Sequence, residues 1–238
     1  MSRPAKALPS QNNQAPNHAQ GHRARLRQRF LKGGANALAD YELLEMVLFM
    51  AIPRADTKPL AKNLLARFKT FSGVIAADAK DLATVKGVGE TCIAALKIIE
   101  TSAIKLKHDQ IVKKPVINSW MGILDYVESS LKYKKAEEFR VLFLDKKNQL
   151  IADELQQQGT VDQAVVYPRE IIKRALELHA SALILVHNHP SGDTTPSSQD
   201  IQLTQHIKDT AQKLDVKLHD HVIVAGDSYT SFKSLGLL

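Results

Sequence analysis

The stretch that decides the fold reads Leu-Val-His-Asn-His-Pro-Ser-Gly-Asp-Thr-Thr-Pro-Ser-Ser-Gln-Asp and spans residues 185–200. It continues an apolar run that begins at Ala182 and is typical of a buried strand. Side chains two residues apart on a strand face the same side, so His187 and His189 can bind one ion together. The prolines and the glycine that follow predict a bent loop, which can bring Asp200 back to the two imidazoles.

These three side chains match the ligand set of a catalytic zinc site. Two imidazoles and one carboxylate bind the metal, and a fourth position stays open for water. Zinc lowers the pKa of that water to about 7 and so provides a nucleophile at neutral pH. The same ligands also suit non-haem iron, so the sequence leaves open which metal is bound. Ser197 and Asp200 also match the capping box that begins a helix. The two roles are compatible if Ser197 caps the helix while Asp200 faces the metal.

The residues around this stretch alternate between strand and helix patterns. The predicted strands cover 139–144, 150–155, 182–187 and 221–225. The predicted helices run from 118 or 119 to 131, over 168–179 and over 197–214. Such alternation indicates an α/β or α+β sandwich in the domain 116–238.

The residues before this domain show helical rather than strand patterns. The predicted helices cover 41–50, 57–68, 78–83 and 90–107. Residues 1–20 are rich in Pro, Gln, Asn and Ala without an apolar period, which predicts a disordered tail. The polar residues 113–115 end in a proline, and we place the domain boundary there. An all-α domain is therefore expected over 21–112.

Charge differs strongly between the two parts of the chain. Residues 1–115 contain 19 basic and 9 acidic side chains, whereas residues 116–238 contain 13 basic and 16 acidic ones. A basic domain beside a mildly acidic one suggests that the first binds a polyanion such as DNA. The alternative is a basic segment that is merely solvated.

A glycine-containing turn, Val85-Lys86-Gly87-Val88-Gly89, separates two of the predicted helices. It resembles the helix-hairpin-helix module, which holds the nucleic-acid backbone without reading its sequence. The alternative is a plain turn that packs two helices. The candidate nucleic-acid contacts are Lys86, Gly87, Val88, Gly89, Arg23, Arg25, Arg27 and Arg29.

Several classes of protein are excluded by composition. The chain contains one cysteine, Cys92, so it can form neither an internal disulfide nor a zinc site with several thiolates. The longest apolar run, 46–52, is too short to span a bilayer, and the first residues lack the apolar stretch of a signal peptide. We therefore expect a soluble, cytoplasmic protein with no membrane partner.

The spacing of His-x-His, seven residues, Ser, two residues and Asp resembles the signature of the JAMM (MPN+) metalloproteases. Pro190-Ser191-Gly192, Tyr167-Pro168-Arg169-Glu170 and Asp220-His221 narrow the resemblance to the bacterial RadC-like family. In the helical part, Pro53-Arg54 and Lys58-Pro59-Leu60-Ala61 also match. The resemblance covers the chain from about residue 22 to its end.

The resemblance implies a fold, a cofactor and an activity. The fold is a JAB/MPN metalloprotease-like α/β sandwich of the α+β class, with cytidine-deaminase-like layering, after a small all-α helix-hairpin-helix domain. The cofactor is Zn²⁺, and the reaction is hydrolysis of a peptide or isopeptide bond in a protein or peptide substrate. Glu137 is the implied general base, with its neighbour Glu138 as the alternative. Ser197 is the implied donor to the oxyanion. A link to DNA repair is also implied.

Three other interpretations compete with these expectations. The protein can be a DNA-processing enzyme, although many nucleases use two metals. It can also be a DNA-binding or scaffolding protein whose metal domain does not catalyse. Finally, His219-Asp220-His221 forms a second His-x-His pattern, which we interpret as core or as support for the ligands, with Asp220 as one candidate hydrogen-bond partner.

Overall fold

The structure is a computed structural model that describes residues 21–112, 116–159 and 166–238, without the side chains of 116–119. The predicted tail over 1–20 and the predicted boundary at 113–115 lie outside the described residues. The chain divides into two compact units between Leu96 and Lys97. This division falls inside a long helix, whose later residues Ile104 and Ile111 pack in the core of the second unit.

The first unit is helical throughout its described residues. Its helices are α1 (His22–Gly33), α2 (Asp40–Ala51), α3 (Lys58–Phe68), α4 (Phe71–Ala76), α5 (Ala79–Ala83) and the start of α6 (Glu90–Ile111), with a short 3-10 turn over Ala35–Ala37. Leu26, Leu44, Leu64, Leu82 and Leu96 come from different helices, and each is at most 1% exposed. Apolar side chains from each of these five helices therefore contribute to the core of this unit.

The second unit contains one mixed sheet and four helical segments among its described residues. They are the end of α6, α7 (Val116–Leu131), β1 (Glu137–Leu144), β2 (Leu150–Gly159), α8 (Pro168–Glu177), β3 (Ala182–Asn188), α9 (Ser198–Gln212), β4 (Lys217–Ala225) and β5 (Ser228–Ser231). The strand order is β2-β1-β3-β4-β5. Among these described strands, β3 and β4 run parallel, and the other neighbouring strands run antiparallel.

Helices cover both faces of this sheet, so β3 is buried on both sides. Ile184 and Val186 pack with α7 and the end of α6, whereas Leu183 and Leu185 pack with α8 and α9. A strand buried on both faces reads as a continuous apolar run, which is why its position was evident from sequence. His187 has the parity of Leu183 and Leu185 and so faces α8 and α9.

The predicted α+β class with an N-terminal helical region is confirmed. Two short elements, α4 and β5, were not predicted, and neither was α1. Within the described parts of the chain, no helix is both long and apolar enough to cross a bilayer.

Candidate functional site

His187 lies near the end of β3, where the strand leaves the core. Its side chain is fully buried above the apolar residues Leu183 and Leu185. Its Nε2 atom lies 2.9 Å from Nε2 of His189 and 3.3 Å from Oδ1 of Asp200. The strand thus delivers one imidazole nitrogen to the point where the other two predicted ligands meet.

His189 lies one residue beyond β3 and is held by two hydrogen bonds. Its amide donates to the carbonyl oxygen of Val224 at 2.8 Å, and its Nδ1 lies 2.7 Å from the carbonyl oxygen of Asp193. Because a carbonyl oxygen only accepts, Nδ1 carries the proton, and the neutral ring presents its Nε2 lone pair. The following loop turns at Gly192, whose φ of +89° favours glycine.

Asp200 lies in the first turn of α9, where one carboxylate serves two purposes. Ser197 is the N-cap, and its Oγ accepts a hydrogen bond from the amide of Asp200 at 3.1 Å. Oδ2 of Asp200 accepts from the amide and hydroxyl of Ser197 at 2.8 and 2.6 Å. Oδ1 remains directed at His187, so the capping box and a ligand role coexist. The positive end of the helix dipole also favours a carboxylate here.

Glu137 completes a cluster with these three residues. Each of Glu137, His187, His189 and Asp200 offers one ligand atom, and these atoms all lie within 4.8 Å of one another. Two imidazole lone pairs and a carboxylate oxygen repel one another unless a cation lies between them. Two nitrogens with carboxylate oxygens are the donor set that suits zinc. The residues present therefore fit a divalent metal ion.

The electrostatics of the cluster also suit metal binding. Burial lowers the pKa of His187 to about 4, so this imidazole is neutral at neutral pH. Burial works to raise the pKa of Asp200, but its contacts with His189, His187 and Ser197 hold that pKa well below its usual range. The interaction with the Asp200 carboxylate raises the pKa of His189, so a proton competes with the metal for Nε2 of this ring. A neutral His187 beside an ionised Asp200 is the state in which both can bind metal.

The adjacent glutamates Glu137 and Glu138 lie on opposite faces of β1. Glu137 shares its face with the metal cluster, and burial raises the pKa of its carboxyl. Glu138 is only 4% exposed on the other face, where it forms ion pairs with Lys134 at 3.1 Å and Arg140 at 3.5 Å. Strand parity thus brings Glu137 to the cluster and Glu138 away from it.

Comparisons with known proteins identify the family. A family model described as RadC-like JAB domain matches residues 117–237, slightly more than half of the chain. The chain belongs to the RadC-like JAB domain family. A second model, described as UPF0758 N-terminal, matches residues 19–94.

Two relatives extend this match to nearly the whole chain. A UPF0758 protein from Ruegeria pomeroyi is 53% identical over 223 residues, which cover 94% of this chain and all of the relative. A UPF0758 protein from Rhodobacter capsulatus is 54% identical over 213 residues, which cover 90% of this chain and all of the relative. Membership of the RadC-like JAB family suggests a JAMM-type domain and a hydrolase.

Sequence reasoning missed one residue that fixes Glu137 in this RadC-like site. Asn188, between the two histidines, is 2% exposed and faces the opposite side of β3. Its Oδ1 accepts from the amide of Glu138 at 2.8 Å, and its Nδ2 donates to the carbonyl oxygen of Ala136 at 3.1 Å. These bonds hold the backbone on both sides of Glu137. The only signal in the sequence is a polar residue at a buried strand position.

The rival pattern His219-Asp220-His221 does not form a second metal cluster in the described residues of the RadC-like domain. His219 hydrogen-bonds Asn148, with 2.6 Å between Nε2 and Oδ1. Asp220 accepts hydrogen bonds from the amides of His221 and Lys233 and from the hydroxyl of Ser231. None of these bonds reaches the side chain of a proposed metal ligand. The imidazole of His221, by contrast, lies against His187, with 2.8 Å between Nε2 and Nδ1.

The predicted hairpin connects α5 to α6 in the helical unit of this RadC-like protein. Lys86, Gly87 and Gly89 are exposed, and Val88 is half-buried. Gly87 has a φ of +93°, which explains a glycine at this turn. The amide of Val88 donates to the carbonyl oxygen of Val85 at 3.0 Å. The turn therefore presents a lysine and exposed backbone at the start of a 22-residue helix.

The four predicted arginines of this family member lie on helix α1. The guanidinium of Arg23 donates to four carbonyl oxygens at and after the end of α2. That of Arg29 pairs with Glu42 at 2.8 Å. Arg25 and Arg27 are exposed, and Arg27 also lies over the ring of Phe49. Two of the four arginines thus hold α1 against α2.

Proposed function

We propose that this protein is a zinc-dependent hydrolase of the JAMM type that cleaves a peptide or isopeptide bond. The observation that carries the proposal is the convergence of His187, His189, Asp200 and Glu137 at one end of the sheet. Three of them match a zinc ligand set, and the fourth is a half-buried carboxyl of raised pKa. A carboxyl in such surroundings suits a general base.

The division of labour follows from these positions. His187, His189 and Asp200 would hold the metal, and zinc supplies a Lewis acid that acidifies water and polarises a carbonyl group. Glu137 would take a proton from the attacking water and pass it to the leaving amine. Ser197 would turn its hydroxyl from Oδ2 of Asp200, 2.6 Å away, towards the developing oxyanion.

A groove beside His189 offers room for a substrate. Its volume is about 370 Å³, and its walls include Tyr133, Lys135, Pro190 and Gly226. Concave sites next to chemically active groups are the usual location for substrates. An extended peptide lying in this groove would contact His189, one of the proposed metal ligands.

The test of this function is cleavage by the zinc-loaded full chain. We expect new amino termini, detected by mass spectrometry, in a mixture of peptides that includes lysine-linked isopeptides. Removing the metal with a chelator should abolish them, and adding zinc back should restore them. Cleavage of DNA without cleavage of any peptide would instead support the DNA-processing alternative. Cleavage of neither would leave a binding protein and contradict a hydrolase.

We also propose that the helical unit binds DNA without sequence preference. The support is local: Lys86 and the exposed glycines lie at the amino-terminal end of α6, where backbone amides favour phosphate. The exposed side chains of Arg25 and Arg27 add positive charge on α1. Such contacts position a nucleic-acid backbone and carry no base information. A connection with DNA repair would follow from this binding and belongs to the proposal.

Lys86→Glu in the full chain should weaken DNA binding equally for different sequences. Loss of one phosphate contact should lower the slope of log affinity against log salt by about one. Fluorescence anisotropy with short duplexes over a range of salt concentrations measures both effects. Lys213→Glu changes the charge equally at an exposed position of the other unit and serves as the control. Equal effects of the two variants would contradict a hairpin contact.

A further inference from the structure

A chain of buried hydrogen bonds runs behind the metal cluster and uses residues to which the mechanism assigns no role. Nδ1 of His187 lies 2.8 Å from Nε2 of His221 on β4. Nδ1 of His221 lies 2.6 Å from Oγ1 of Thr204 on α9. Oγ1 of Thr204 lies 2.5 Å from the carbonyl oxygen of Asp200. The chain therefore begins at one proposed ligand and ends on the backbone of another.

The far end of this chain fixes the direction of every bond in it. The carbonyl oxygen of Asp200 can only accept, so the single hydroxyl proton of Thr204 must point to it. Oγ1 of Thr204 must then accept from Nδ1 of His221. A neutral His221 has its lone pair on Nε2 and accepts from Nδ1 of His187. Nε2 of His187 is thereby left without a proton, facing the cluster.

Both histidine rings in the chain lie away from water, where an uncharged ring is favoured, as this direction requires. His221 and His187 are each fully buried. Phe232 stacks on His221 with ring centres 4.4 Å apart, and Phe139 stacks on His187 at 5.9 Å. Apolar rings around the chain strengthen its hydrogen bonds, since little water competes for them.

We propose that Thr204 and His221 are positioning residues that set the tautomer of His187 and so aim its Nε2 lone pair at the metal. This inference rests on the proposed metal site but adds residues that bind no metal themselves. His189 reaches the same tautomer independently, through its Nδ1 and the carbonyl oxygen of Asp193. Two separate hydrogen-bond arrangements thus produce two nitrogen lone pairs that face one point.

The test uses Thr204→Val, which keeps the shape of the side chain and removes its hydroxyl. Without the hydroxyl, His221 can place its proton on Nε2, and His187 must then carry its own proton on the nitrogen that faces the metal. Loss of such a supporting contact should weaken zinc binding by about 10–100-fold, measured by competition with a chelator. Thr204→Ser retains the hydroxyl and should restore wild-type affinity.

Thr210→Val is the matched control, because Thr210 lies on the same helix and donates to the carbonyl oxygen of His206 at 2.7 Å, a bond that supports no imidazole. It should bind zinc like the wild type. In addition, imidazole nitrogen NMR of the metal-free wild type should find the His187 proton on Nδ1, and the proton should shift towards Nε2 in Thr204→Val.

A folded Thr204→Val protein with wild-type zinc affinity would overturn the positioning role of Thr204 and His221. A wild-type His187 that carries its proton on Nε2 would overturn it as well. If Thr204→Val does not fold, the tautomer of the wild type alone decides. A wild type that binds no zinc would refute the proposed metal site, whereas zinc binding that Thr204→Val leaves intact would refute only the positioning role.

Discussion

Glu137→Gln should bind zinc as the wild type does and lose hydrolytic activity by about 10²–10⁴-fold, the usual contribution of a positioned general base. The substitution keeps the size of the side chain and removes its ability to accept a proton. The three proposed ligands are untouched, and Asn188 still holds the backbone on both sides of position 137. Parallel measurement of zinc content and of peptide cleavage rates separates these two effects.

Glu138→Gln is the matched control, because it makes the same change one residue further along β1. Glu138 lies on the other face of the strand, in ion pairs with Lys134 and Arg140. Its substitution should lower stability, since it weakens a buried ion-pair network, while the rate of cleavage by folded protein stays near that of the wild type. The base assignment would be wrong if Glu138→Gln abolished cleavage and Glu137→Gln did not.

His187→Ala and Asp200→Asn should each lower the bound zinc from about one ion per chain to almost none, because each removes one of three ligands. Asp200→Asn retains the size of the side chain and an acceptor for the capping box, so its effect isolates the lost charge. Zinc should raise the melting temperature of the wild type and leave that of both variants unchanged, since only bound metal stabilises the folded state.

His206→Ala controls for the general loss of a histidine. His206 is exposed on α9, the helix that carries Asp200, and it lies outside the metal cluster. This variant should retain the zinc content and the zinc-dependent rise in melting temperature. Retention of zinc by both His187→Ala and Asp200→Asn would show that the ligand assignment is wrong.

Much of the second unit could be predicted because its core elements are strongly patterned. The apolar run of β3 and the proline at the first turn of α8 are local signals that the structure confirms. The element β5 is only four residues long and polar, so neither length nor period distinguished it from a turn. Helix α1 was missed because its alternating arginines hide Leu26, its one fully buried residue.

In the candidate site, too, residues close in sequence could be predicted, whereas contacts between distant residues could not. The spacing of His187, His189 and Asp200 is local, and the structure brings these three side chains together. Asn188 bonds to Glu138, which is 50 residues away in the sequence, and His221 bonds to His187, which is 34 residues away. A single sequence does not reveal such distant pairs. The family resemblance favoured Glu137 over Glu138, and the register of β1 against β3, in which Phe139 lies opposite His187, brings Glu137 to the face of the cluster.

The central claim is that one metal ion is held at the end of β3, and a crystal structure of the zinc-loaded protein with anomalous scattering data tests it most directly. We expect a single strong zinc peak about 2.0–2.2 Å from Nε2 of His187, Nε2 of His189 and a carboxylate oxygen of Asp200, with the carboxylate of Glu137 nearby. A zinc-loaded crystal whose anomalous peak lies elsewhere, with these three side chains in contact only with one another, would contradict it.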